Sequence, residues 1–183
     1  MGTTAPTAEE TVATDWNADG FLPVSFGVEK SRRYHAYMRE FYRRCHDWTL
    51  ALTAISGSAA FVSLIGDNPS TVIAKALTFV VAVATTLDLV FDFSRKADKH
   101  DVLCRRFTEL AAKIVEWDAT EANRRQASAE RVRIESDEPT ERRLVEIWAH
   151  NDECRARGHG ADEMVPLTVL QRSPLAYLVR IWG

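Results

Sequence analysis

From Trp48 to Ile65 the chain runs eighteen residues without a formal charge, WTLALTAISGSAAFVSLI, and from Ala76 to Leu87 it runs twelve more, ALTFVVAVATTL. A helix rises about 1.5 Å per residue and a bilayer's hydrocarbon core is about 30 Å thick, so a run of about eighteen is the shortest that crosses. The first run meets that limit. The second, taken from Val72 to Phe93, holds Lys75 near its start and Asp88 and Asp92 near its end. These charges lie within about one and a half turns of an end, where a lysine snorkels and a carboxylate reaches the headgroup layer. Between the runs, Gly66-Asp67-Asn68-Pro69 supplies a helix stop, an N-cap and a first helical position. The pattern predicts two antiparallel helices joined by a short turn, an apolar hairpin.

The flanking charges orient that hairpin. Lys30, Arg32, Arg33, Arg39, Arg43 and Arg44 precede the first run, and Arg95, Lys96, Lys99, Arg105 and Arg106 follow the second, whereas Gly66 to Ala74 has no basic residue. By the positive-inside rule both termini face the cytoplasm. The expected membrane boundary is marked by Arg43, Arg44 and Trp48 on one helix and by Asp92, Arg95 and Lys96 on the other, with Lys75 at the far side. Tyr37, Phe41 and Tyr42 join Trp48 as an interfacial aromatic belt, or equally as a stripe of core aromatics. Small residues such as Ala51, Ala54, Ser58, Ala59, Ala82 and Ala84 permit the close approach of membrane helices. They also suit a soluble, alanine-rich helical bundle, and that alternative stays open at this stage.

Composition restricts the function classes. A net charge of −3 over 183 residues, with acids and bases interleaved outside the hairpin flanks, gives no case for nucleic acid. The first 24 residues lack a basic segment followed by an apolar core, so no N-terminal signal peptide is expected and the hairpin itself would direct insertion. Cys45, Cys104 and Cys154 form no CxxC pair and favour a reducing compartment. His100 and Cys104, like His150 and Cys154, are four residues apart, which puts each pair on one helix face and would allow four zinc ligands. Ordinary packing accounts for that spacing more often, and no metal or other cofactor is expected.

Along the chain, residues 1–24 form an arm with Trp16, Phe21 and Leu22 as docking points, 25–160 form a helical domain with the hairpin at 48–93, and 161–183 form a C-terminal segment. Apolar residues at three- and four-residue steps predict one helix over about 27–66 and a second from Pro69 to about residue 118, about 75 Å long. Residues 119–137 predict a solvated, kinked helix. A further helix is expected from Ser136–Pro139 to about 157, and a terminal one at 174–182. No P-loop, GxGxxG, GxSxG or HExxH occurs, so a non-enzymatic role is expected. Asp88 and Asp92 could line a pore or contact a cation, though acids at a helix boundary are more often solvated or paired with Arg95, Lys96 or Lys99.

The aromatic-basic helix YHAYMREFYRRCHDW, the hairpin, the stretch LDLVFDFSRKADKHDVLCRRFTELAAKI and the segment ERVRIESDEPTERRLVEIWAHNDE together resemble the SLATT proteins, two-transmembrane effectors associated with bacterial nucleotide-signalling conflict systems. The resemblance covers about residues 30–157. It rests on LDLVFDF with Ala97 and His100, on IESDEP (Ile134–Pro139) and on HNDE (His150–Glu153), in order and spacing. It implies a bacterial inner-membrane protein with cytoplasmic helices that associates with copies of itself, works with a separate sensor protein and forms a pore or disrupts the bilayer in phage defence.

The expected fold is therefore all-α: two long antiparallel helices forming a two-transmembrane hairpin, with a cytoplasmic helical bundle. A single hairpin encloses no water path, so the pore reading requires oligomers, with Thr53, Ser56, Thr78, Thr85 or Asp88 lining the path. The alternative is a non-enzymatic structural helical subunit of a large assembly such as a virus particle, soluble or particle-associated.

Overall fold

A computed structural model describes residues 21–65 and 71–172. The described residues are helical and contain no strand. In order they form α1 (Leu22–Ile65), α2 (Thr71–Phe91), α3 (Phe93–Glu116), α4 (Glu121–Glu135), α5 (Arg143–Ala156), a 3-10 turn (Ala161–Glu163) and a short α6 (Val169–Arg172). The turn expected at 66–70, the arm before residue 21 and the helix expected at 174–182 lie outside the described residues.

The chain divides into two compact units, Met1–Tyr34 with Leu103–Gly183, and His35–Val102. In the first, Leu103, Phe107, Leu110 and Ile114 recur at helical steps on α3 and close a core with Phe21 and Val28 of the α1 segment and Ala127 and Ile134 of α4. Residues 119–137 are mostly exposed, as their polarity predicts, and α4 reaches the core through Ala127 and Ile134. Thr120 caps α4 by accepting a hydrogen bond from the Asn123 amide at 3.2 Å.

The same unit is clamped by charge. Glu153 on α5 is buried and accepts hydrogen bonds from Arg33 Nε at 2.8 Å and Arg157 Nε at 2.5 Å, and Lys30 pairs with Glu146 at 2.9 Å. α5 begins four residues after Pro139, later than the proline predicts. Its N-cap, Arg142, has no side-chain cap bond; its amide donates instead to Tyr34 Oη at 3.0 Å. A tertiary acceptor on α1 sets the start of this helix, while the proline keeps the residue before it out of the helical region.

In the second unit, contacts pair the two chain segments in opposite numerical order: His35 with His100, Tyr42 with Phe93, and His46 with Asp88. The expected unbroken second helix is interrupted at Asp92, whose φ is 48°. The interruption is one residue deep, because Asp92 N still donates to Asp88 O at 2.8 Å and Lys96 N to Asp92 O at 3.1 Å. Aspartate is among the few non-glycine residues that adopt this left-handed conformation.

Candidate membrane-facing site

Among the described residues one helical run is long and apolar enough to cross a membrane, Lys75–Glu116, which carries α2 through Asp92 into α3. Only 6% of its most apolar window is buried. A core helix of similar composition in a soluble protein would be mostly covered, as Phe107 and Leu110 are in the first unit. Here Phe79 is 69% exposed and Leu89 81%, and on α1 Trp48 is 72% exposed and Ile55 69%. At 1.5 Å per residue the 21 residues of α2 extend about 31 Å, one bilayer core.

Side chains of both segments line one groove. Ala84 is buried, and Trp48, Leu52, Phe79, Val83 and Leu87 share with it a groove of about 310 Å³ whose surface is almost wholly apolar. Hydroxyls on these helices bond to their own backbone: Thr49 Oγ1 to His46 O at 2.8 Å, Ser58 Oγ to Ala54 O at 2.7 Å and Thr86 Oγ1 to Ala82 O at 2.7 Å. Serine and threonine satisfied in this way tolerate apolar surroundings.

Beyond Trp48 the character changes abruptly. His46 Nδ1 meets Asp88 Oδ1 at 3.1 Å, both half-buried. Next come stacked rings: Phe91 on Phe93, Phe93 on Tyr42 and Tyr42 on His100, with Lys96 Nζ 5.7 Å from the Tyr42 centroid and 5.6 Å from that of Phe91. His100 Nδ1 then lies 2.9 Å from His35 Nδ1, both rings buried, and Arg39 bonds Asp101 at 2.9 Å. The polar and aromatic layer thus begins within one turn of the bare apolar surface.

The residues expected to line a pore fall into separate sets. Ser56 is buried and Thr53 half-buried, Thr78 and Thr85 are exposed, and Asp88 faces His46. Of the boundary residues, Arg43, Arg44, Trp48, Lys75, Asp92, Arg95 and Lys96 are all exposed; Arg44 bonds Glu40 at 2.8 Å and Arg95 lies 3.9 Å from Asp92. The side chains of residues 60–65, the end of the first uncharged run, lie outside the described residues.

Of the two histidine–cysteine pairs, His100 and Cys104 have other partners, whereas His150 and Cys154 meet each other. His100 faces His35, Cys104 Sγ lies 3.7 Å from Arg32 O, and Cys154 Sγ is 3.5 Å from His150 Nε2. Among the described residues no group of three histidines, cysteines or acids could hold a metal ion. Burial, with the carboxylates of Glu163 and Glu153, pushes the Cys154 thiol up and away from thiolate chemistry. His46 and His35 were not singled out from the sequence. Both continue the α1 stripe that contains Tyr42, and the only signal was a titratable residue on an inward face. No family model, curated protein or solved structure matches the chain.

Proposed function

We propose that the chain is a non-enzymatic two-transmembrane effector. α1 from Trp48 onward and α2 enter the bacterial inner membrane as an antiparallel hairpin with both termini cytoplasmic, and several copies together form a pore or disrupt the bilayer. The observation that carries this reading is the bare apolar surface of α2, 6% buried over its most apolar window and about one bilayer core in length. Such a surface needs a cover other than water. Lipid supplies it over a height that ends at the His46–Asp88 level. The SLATT resemblance supports the same assignment and adds phage defence and a separate sensor protein as its setting.

The decisive experiment is expression of the full chain in bacteria, followed by carbonate extraction of the membrane fraction while growth and membrane potential are recorded. Retention in the alkali-resistant pellet with depolarisation is the expected outcome. Retention without depolarisation would leave an anchor and remove the pore. A soluble product with intact potential would overturn the membrane reading and transfer the apolar surface to contacts between copies in a packed assembly.

A further inference from the structure

The groove of the second unit is accessible along its walls. Trp48, Leu52, Phe79, Val83 and Leu87 are exposed, and Ala84 is buried among them. From Phe79 to Leu87 the groove follows α2 for eight residues, about 12 Å. No charged side chain lines it. Its one hydroxyl, that of Thr49, is already bonded to the His46 carbonyl at 2.8 Å. Sites for polar molecules carry a few placed polar groups that fix the ligand's orientation. A long slot without them suits an unbranched hydrocarbon chain.

A cation stands where the slot ends. Phe91 follows Leu87 by four residues, about one turn further along the same face of α2. The Lys96 ammonium lies 5.6 Å from the Phe91 ring centroid and 5.7 Å from that of Tyr42, so two ring faces hold it there. Glu40, Asp88 and Asp92 are partnered by Arg44, His46 and Arg95, and among the described residues no carboxylate pairs with Lys96. The chain thus sets one uncompensated positive charge about a turn beyond an apolar slot. A phosphate joined to an acyl chain has the complementary form. We propose that the groove seats an acyl chain of an anionic phospholipid whose phosphate meets Lys96. The proposal rests on the membrane reading above and adds a lipid class to it. A zwitterionic lipid would bring its own ammonium beside Lys96. An anionic one brings none, and a single lysine at a membrane surface favours it about five-fold.

The test separates the lipid class from the membrane reading. The full chain is reconstituted into phosphatidylcholine vesicles, and its flotation with them checks the membrane reading alone. Trace phosphatidylglycerol or phosphatidylcholine carrying a diazirine in one acyl chain is then added and irradiated, and adducts are mapped by mass spectrometry. Phosphatidylglycerol is expected to label the peptides containing 48–52 and 79–87 about five-fold more than phosphatidylcholine. Lys96→Gln should erase that preference and Lys96→Arg keep it. Lys75→Gln, at an exposed position near the other end of α2, should leave it unchanged. Flotation with equal labelling by the two lipids would overturn the proposal and leave the membrane reading standing. So would a preference that survives Lys96→Gln, or one that Lys75→Gln removes as well. A chain that fails to float would overturn both.

Discussion

Replacing Phe79 with lysine separates the two environments that an exposed apolar helix can have. Phe79 is the ninth residue of α2, about 12 Å along the axis from Thr71 and about 18 Å from Phe91, close to the middle of a span of about 30 Å. Its ring is 69% exposed, so the substitution opens no cavity in the chain. In water the change is neutral to slightly favourable, because lysine is the better helix former. At the centre of a membrane helix, phenylalanine contributes about −0.3 to −0.6 kcal/mol to insertion and lysine costs about 2.5–3.5. The difference, about 3–4 kcal/mol, is a hundred- to thousand-fold change in the insertion equilibrium. Adding Val83→Lys, one turn away on the same helix, raises the cost to about 6–8 kcal/mol, more than a span of this modest hydropathy can offset.

The assay is cell-free synthesis with inverted inner-membrane vesicles, reading the alkali-resistant fraction of wild type, Phe79→Leu, Phe79→Lys and the double variant. Wild type and Phe79→Leu should be retained alike, Phe79→Lys reduced and the double variant largely lost to the supernatant. Two results refute the reasoning. Undiminished retention of the double variant would mean that α2 is held by something other than lipid. A soluble wild type with lysine variants of equal or better solubility would mean that the surface meets protein or water instead.

Three smaller perturbations test the rest of the structure. Asp92→Gly should stabilise the protein by about 1 kcal/mol and Asp92→Val destabilise it by about 1–2, because φ is 48° there and only glycine adopts it without strain; denaturant unfolding of both variants decides this. Glu153→Ala should cost about 2–3 kcal/mol, below the 3–5 of a wholly buried pair, since Arg33 and Arg157 keep partial contact with water when their shared carboxylate is lost. Glu141 has its carboxyl pKa raised by burial first, then by Glu146 and Glu138, so the folded state holds its proton to higher pH than the unfolded state. That group therefore favours folding below the usual carboxylate range and loses this contribution as pH rises through the raised value. Glu141→Gln is expected to raise the melting temperature at pH 7 and to lose that advantage below about pH 4.5; an equal gain at both pH values would contradict the assignment.

The helices were legible because helical period and uncharged length are local properties of the sequence. α1 ends close to its expected limit but begins at Leu22, five residues early and inside the expected arm, and the apolar run of α2 is where composition put it. What stayed hidden depends on partners distant in sequence. Pro139 announces a helix, yet α5 waits for Arg142 because Tyr34, 108 residues earlier, accepts its amide hydrogen. Ile134 is an isolated apolar residue in a polar segment and becomes core by joining the cluster that holds Phe107 and Val28. His100 looked like half of a helical metal-ligand pair with Cys104; its Nδ1 instead lies 2.9 Å from that of His35, 65 residues away. The same holds at the candidate site. Thr53, Ser56, Thr78, Thr85 and Asp88 are alike as polar residues within an apolar stretch, and only the structure separates Ser56, which is buried, from Thr78 and Thr85, which are exposed. Asp88 shows why that distinction matters for function. A carboxylate in an apolar helix needs either water or a partner, and His46 lies 3.1 Å from it at the level where the apolar surface ends. Within one chain Asp88 therefore has the partner that its apolar neighbourhood calls for, at a level where the exposed apolar side chains give way to His46, Tyr42 and His100.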